Sequence, residues 1–309
     1  MLNISVIIPV YNAEKFLEKA VQSALQFEEV KEVLLIEDAS PDQSLAVCEK
    51  LVSTDSRIKL YQHPDKGNHG AGASRNLGLD KATQEYIAFL DADDYYLPNR
   101  FDAERELFKN EKIEGVFGAI GTEFLSEKGK EEFQKKFKNI ELTTVKKPAE
   151  GKDVFYGLLG LNQDFGTFFS LIGMTMRKNT LRFNPELRVH QDSDFIVKLS
   201  YHCYLKSGNI TKAVAMRGVH DDNRITKIKS YSEKFYQNMF LLYQSLYKWS
   251  KTQNLMNKNA KKIIKLKYIC FKLGTEKGVK KILHYILWVI IYPTLLKTRY
   301  RFHILRNIK

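Results

Sequence analysis

The sequence predicts an α/β fold with a mostly parallel sheet flanked by helices, followed by a basic helical C-terminal region. Three observations predict it. Short apolar runs alternate with segments of helical periodicity through the first hundred residues. The apolar runs are continuous rather than alternating, the pattern of strands covered on both faces. The charge also changes sign along the chain. Residues 1–223 hold 29 Lys+Arg against 34 Asp+Glu, a net of −5, whereas residues 224–309 hold 20 Lys+Arg against Glu233 and Glu276 only, a net of +18.

The elements follow in order. Ile4–Val10 reads as a buried strand. Ala13–Phe27 carries apolar residues at helical spacing, with Asn12 as its expected N-cap. Val33–Ile36 is a second strand. Ser40-Pro41-Asp42-Gln43 has the form of a capping box opening the next helix. Ile58–Tyr61 is a third strand, Ala71–Ala82 a third helix and Tyr86–Leu90 a fourth strand. Beyond Pro98, Asn99–Asn110 is expected to be helical, Gly115–Phe124 a strand and 126–152 a charged loop. Phe168–Arg177 and Lys212–Val219 read as strands, and Phe195–Tyr204 as a helix. From Tyr231 onward the pattern is helical, with Phe235, Met239, Leu242 and Leu246 on one face. The charge switch places a domain boundary near 225, dividing a body of residues 1–225 from a basic helical region of 226–309.

Composition excludes several classes. Apolar residues are 44% and charged residues 28%, a globular balance that excludes disorder and fibrous repeats. Cys48, Cys203 and Cys270 are odd in number and far apart, so neither a disulfide framework nor a Cys-based zinc site is expected. Met1-Leu2-Asn3 has no basic region of the secretory kind, and no stretch reaches the roughly 20 apolar residues of a spanning helix. A cytoplasmic protein is expected. The fingerprints G-x-G-x-x-G and G-x-x-x-x-G-K-[ST] are both absent.

In open α/β sheets, ligands sit outside the carboxyl ends of the strands. Here the first strand ends in Pro9-Val10-Tyr11-Asn12, the second in Glu37-Asp38 and the fourth in Asp91-Ala92-Asp93-Asp94. Gly67-Asn-His-Gly70-Ala-Gly72 precedes the third helix, where glycine backbone can approach a phosphate or simply connect two elements. In extended backbone, Asp91 and Asp93 would point to the same side, and two carboxylates facing one spot favour a cation between them. A solvated acidic turn is the alternative, but the location at a strand end favours the cation.

Four blocks together resemble the family 2 inverting glycosyltransferases of the GT-A fold. They are Ser5–Asn12, Glu37–Ser44, Gly72–Gly78 with Arg75 and Asn76, and Phe89–Asp94. The resemblance implies a nucleotide-diphosphate sugar donor, usually UDP-linked, and Mg²⁺ or Mn²⁺. By the same resemblance Pro9, Val10, Tyr11 and Asn12 line the uridine site, Asp38 bonds the base and Arg75 contacts the nucleotide. Asp91 lies near ribose and metal, and Asp93 ligates the metal. The family's late acidic pair corresponds to Gln191-Asp192-Ser193-Asp194, with Gln191 in place of the usual acid. Asp192 is then the general base, with Asp194 as runner-up. His220 matches a histidine that completes the metal or diphosphate site, or else is structural. The Gln-x-x-Arg-Trp motif of processive synthases is absent, so addition of a single sugar to a glycan or lipid-linked acceptor in cell-surface glycan synthesis is implied. A non-catalytic nucleotide-sugar-binding protein and a metal-dependent nucleotidyltransferase remain as alternatives.

The basic tail has its own reading. Ile282–Leu296 is uncharged, contains Tyr285, Trp288 and Tyr292, and is flanked by Lys280, Lys281, Lys297, Arg299 and Arg301. Too short to span, it is expected to lie in plane on an anionic membrane surface, so that the protein is peripheral on the inner face of the membrane. Nucleic acid is not an expected partner, because a duplex would not bury the apolar block. Packing on the body or a dimer interface is the alternative.

Overall fold

The computed structural model describes residues 2–137, 141–166, 168–221 and 231–296. The chain divides into two compact units, Met1–Asp221 and Asp222–Lys309. The boundary expected at 225 falls within 222–230, outside the described residues, as do Arg224, Lys297, Arg299 and Arg301.

Among the described residues, the first unit holds ten strands: β1 (Ile4–Val10), β2 (Val30–Glu37), β3 (Ile58–Gln62), β4 (Tyr86–Phe89), β5 (Tyr95–Tyr96), β6 (Gly115–Phe117), β7 (Ile120–Phe124), β8 (Met174–Arg177), β9 (Leu205–Ser207) and β10 (Ala215–Val219). Its helices are α1 (Leu17–Leu25), α2 (Ser44–Val52), α3 (Ala71–Lys81), α4 (Asp102–Leu107), α5 (Glu127–Phe137), α6 (Lys152–Leu158) and α7 (Gln191–His202). The main sheet runs β3-β2-β1-β4-β8-β6-β9, with β5-β10-β7 as a second, small sheet. β1 lies parallel to both β2 and β4, while β8 runs antiparallel between β4 and β6.

The pleat divides the core. Ile4, Val6, Ile8 and Val10 face a cluster with Leu17 and Val21 of α1 and Cys48 and Leu51 of α2. Ile7 faces the other side, with Leu79 of α3 and Phe195 and Leu199 of α7. Because β1 lies between β2 and β4, the chain leaves β1 first toward one side of the sheet and later toward the other. The carboxyl ends of β1 and β4 therefore frame a crevice.

Several elements differ from the sequence reading. Asn12 does not cap α1, which starts only at Leu17. Asn12 has φ +56°, and its N–H donates to Ser40 Oγ at 3.2 Å. That bond occupies Ser40, so no capping box forms. Instead, α2 begins at Ser44, whose N–H donates to Asp42 Oδ1 at 3.0 Å. Gly115–Phe124 is two strands, because the chain crosses from one sheet to the other at Gly118-Ala119. The charged stretch after 126 contains α5, which buries only Gly129 and Phe133, too narrow an apolar stripe to stand out among its lysines and glutamates. Phe168–Arg177 is extended only from Met174.

The second unit is helical, with α8 (Glu233–Thr252), α9 (Lys258–Thr275) and α10 (Gly278–Ile291). Ser232 caps α8 by accepting from the Phe235 N–H, and Asn257 caps α9 by accepting from the Asn259 N–H. α8 and α9 pack as a hairpin, with Tyr243 stacked on Phe271 and Tyr247 on Tyr268. α10 is apolar on two faces. Tyr285, Trp288 and Val289 pack against Ile269, Cys270 and Leu273 of α9. Val279, Leu283, Ile286, Leu287 and Ile290 are exposed, at 50–72% of their surface. The aromatic residues expected at a membrane surface thus turn inward, where their ring area is better buried, and the outward stripe is aliphatic. Among the described residues, no helix is long and apolar enough to cross a membrane.

Candidate active site

The polar crevice begins at the strand ends. Pro9 is half-buried, the Val10 side chain is wholly in the core, and Tyr11 and Asn12 are exposed. Val10 offers a ligand backbone only, and its carbonyl accepts from the Asp38 N–H at 2.9 Å. Asp38 is buried at the end of β2. Its carboxylate accepts from the His69 N–H and the Gly70 N–H, each at 2.7 Å, and from Asn68 Nδ2 at 3.0 Å. Asp38 therefore pins the loop that leads into α3.

That loop is also clamped from the far side. Gly70 has φ +83°, and a Cβ there would meet Arg188 Nη1 at 2.6 Å. A Cβ on Gly72 would lie 2.2 Å from Gln191 Oε1. Arg188 donates to the side-chain and backbone oxygens of Asn68 at 3.1 and 3.2 Å. The start of α7 and the loop after β3 are thereby held together, with Gln191 packed against Gly72.

Arg75 projects from α3. It is buried, and its Nη2 donates to Asp91 Oδ1. Residues 91–94 form a turn in which the Asp94 N–H donates to Asp91 O at 3.0 Å. The two-residue period of extended backbone, by which Asp91 and Asp93 were expected to point to one side, does not apply in a turn. Asp91 pairs with Arg75, whereas Asp93 Oδ2 lies 3.2 Å from His220 Nε2. Phe16 stacks on the His220 ring with centroids 4.7 Å apart. Asp94, which the sequence reading left without a role, is buried beneath this turn and accepts from the Gly218 N–H at 3.0 Å. Burial, then the charges of Asp93 and Asp91, push its carboxyl well above the usual range. Its signal was the fourth position of the Asp91–Asp94 run. Arg188 had none.

Among the described residues, no group of three His, Cys, Asp or Glu side chains could hold a cation unaided. The Asp93 carboxylate and the His220 ring nitrogen are a donor pair that could hold a divalent cation such as Mn²⁺, with its other positions left to water or phosphate oxygens.

α7 separates the two candidate bases. Asp194 is fully buried and ion-paired with Lys198 Nζ at 2.6 Å. Asp192 is half-buried, and its Oδ1 accepts from the Ser193 N–H at 2.8 Å. His190 just before it has φ +61°. Asn12, Ala39, Lys66 and His190 all have positive φ and lie at crevice loops. Left-handed backbone at Ala39, Lys66 and His190 costs on the order of 1–3 kcal/mol each, and less at Asn12, whose side chain tolerates that region.

Residues 5–166 match the family described as Glycosyl transferase family 2, over more than half of the chain. The chain belongs to glycosyltransferase family 2. A Haemophilus influenzae protein described as an uncharacterized glycosyltransferase is 40% identical over 102 residues, which is 33% of this chain and 40% of that protein. The Campylobacter jejuni GalNAc(5)-diNAcBac-PP-undecaprenol beta-1,3-glucosyltransferase is 27% identical over 224 residues, covering 66% of this chain and 65% of its own. Staphylococcus aureus TarS 1–349, in a crystal structure with UDP-GlcNAc, superposes with a TM-score of 0.62 at 20% identity, covering 88% of this chain and 73% of TarS. The fold is GT-A, with the family's first three sequence blocks on the carboxyl ends of β1 and β2 and the start of α3, and the fourth block after β4.

Proposed function

We propose that this family 2 member is an inverting glycosyltransferase that moves one sugar from a UDP-linked donor to a hydroxyl of a glycan or lipid-linked acceptor in cell-surface glycan synthesis. The observation that carries this reading is the meeting of two residue sets. The Asp38-pinned glycine loop and the Arg75–Asp91 pair stand on one side, and Asp192 at the head of α7 stands on the other, joined by Arg188 and Gln191.

In this reading Pro9, Tyr11, Asn12 and the Val10 backbone line the nucleotide, and Asp38 holds the loop that covers it. Arg75 keeps Asp91 turned toward the ribose. Asp93 and His220 hold Mg²⁺ or Mn²⁺, which supplies charge neutralisation to the departing diphosphate. The acceptor hydroxyl passes its proton to Asp192 as its oxygen displaces UDP at the anomeric carbon, with inversion. Asp194 is unsuited to that step, because its carboxylate is sealed from solvent by Lys198 and the core. The Campylobacter jejuni relative, whose name includes a PP-undecaprenol-linked glycan, supports the acceptor class, and the basic second unit supports a peripheral place on a membrane.

The test is UDP release from a panel of UDP-sugars with and without acceptor and cation, read together with the anomeric configuration of the product. Release of UDP with an inverted product is expected. Pyrophosphate release instead would indicate nucleotidyl transfer, and binding of donor without turnover would indicate a non-catalytic sugar-nucleotide binder.

A further inference from the structure

The second unit contains a cavity of about 290 Å³ between α8 and the first half of α9. Its wall carries Lys251, Lys258, Lys261, Lys262 and Lys265, closed by the rings of Tyr247 and Tyr292. No carboxylate lines it. The two acids of this half of the chain are engaged elsewhere, Glu233 with Lys277 at 3.2 Å and Glu276 with His284 at 2.8 Å. Lys251 lies over the Tyr247 ring at 4.6 Å and Lys265 over the Tyr292 ring at 5.0 Å, so the aromatic walls orient two of the ammonium groups. The lysines line the concavity largely with their apolar stems, and their five charges make its surroundings electropositive, where a phosphate can accept from ammonium groups.

The cavity is continuous in sequence with an unpartnered apolar surface. Tyr292, in its wall, directly follows the last turn of α10. On that helix Val279, Leu283, Ile286, Leu287 and Ile290 form one exposed stripe at i, i+4, i+7, i+8 and i+11 spacing. A lysine-rich concavity and an exposed aliphatic helix face in the same helical unit suit one partner, a bilayer leaflet with anionic phosphates over apolar acyl chains.

We propose that the α8–α9 lysine cavity is a headgroup site for an anionic phospholipid, occupied while the aliphatic stripe of α10 lies in the acyl layer. This rests on and deepens the membrane part of the reading above, and it is independent of the catalytic part. It also replaces an aromatic anchor with an aliphatic one.

The experiment is co-sedimentation of the full chain with phosphatidylcholine vesicles, alone or mixed with phosphatidylglycerol. It is run for the native protein, for a Lys258→Gln/Lys261→Gln/Lys262→Gln variant and for a Leu283→Gln/Ile286→Gln variant, with circular dichroism confirming the fold of each. Binding to the anionic vesicles only is expected. The lysine variant should partition on the order of 10²-fold more weakly, since each lysine near an anionic surface contributes about fivefold. The α10 variant should also be released. Full-strength binding by the lysine variant overturns the headgroup site, as does equal binding to phosphatidylcholine. Strong capture of inorganic phosphate by the native protein without vesicle binding assigns the cavity to a soluble phosphate and also overturns it. UDP release is followed in parallel in all three proteins. Its absence throughout, with vesicle binding intact, sinks the transferase reading and leaves the headgroup site standing.

Discussion

The side-chain oxygen of Gln191 occupies the space that a methyl group on Gly72 would need, with 2.2 Å between them. Two segments more than a hundred residues apart are thereby interlocked: the first turn of α3 and the first turn of α7. Gln191 Oε1 is buried there without a hydrogen-bond partner among the described residues. In this structure the Gln191 side chain packs against the backbone at Gly72.

Gly72→Ala should therefore move α7 relative to the start of α3. A misplacement of about 1 Å near a reacting group can cost on the order of 10²-fold in rate. UDP release should fall by roughly 10- to 100-fold. Adding Gln191→Ala should restore part of it, because the clash is with that one side chain. Equal loss in the single and double variants would contradict the interlock.

Asp93→Asn should abolish cation-dependent UDP release with the thermal unfolding midpoint nearly unchanged, since the side chain is partly exposed. His220→Gln should weaken the apparent cation affinity while retaining turnover at saturating Mn²⁺. Activity of the native protein in excess chelator would remove the cation from the mechanism.

Asp192→Asn should keep donor affinity and lose turnover by on the order of 10²–10⁴-fold, the usual contribution of a general base. Asp194→Asn should act on stability instead, because it leaves Lys198 facing a buried neutral amide. Urea midpoints and UDP-release rates for the two variants should move in opposite orders. A dead but fully stable Asp194→Asn would reassign the base.

Arg100→Met should destabilise the fold by about 3–5 kcal/mol, the range for breaking a buried ion pair. Arg100 is wholly buried and donates to Glu104 at 2.5 Å and to the Met174 carbonyl at 2.8 Å. Burial raises the Glu104 carboxyl above its usual value of 4.5, and Arg100 pulls it back down. Without Arg100 the folded-state value rises further. A carboxyl raised in the folded state costs stability as pH climbs from its unfolded value through its folded one. The loss in the variant should thus be greater at pH 8 than at pH 5, measured by urea unfolding.

The first hundred residues were legible because each strand is a continuous apolar run, and β1, β2 and β4 each lead into a polar or acidic turn. β1, β3, β4 and α3 agree with the reading within a residue or two, with β2 longer by a few residues at its ends. Legibility failed where local pattern and tertiary demand diverge. Ser40 was a good cap by type but is held by the Asn12 backbone from another turn. Gly115–Phe124 looked like one strand because nothing local marks the crossing from one sheet to another. In the tail, hydrophobicity showed that Ile282–Ile291 needed burial, but not which face would find it.

The sequence alone determined the class of fold, the order of its elements and the residue types at the strand ends, because strand burial and helix periodicity are local consequences of side-chain chemistry. Only the tertiary structure decided the partners. The turn at 91–94 sends Asp91 to Arg75 and Asp93 to His220, α7 buries Asp194 and leaves Asp192 accessible, and α9 takes the aromatic face of α10 and leaves the aliphatic one outside. Those choices depend on contacts between residues tens to more than a hundred positions apart, and no local pattern carries them.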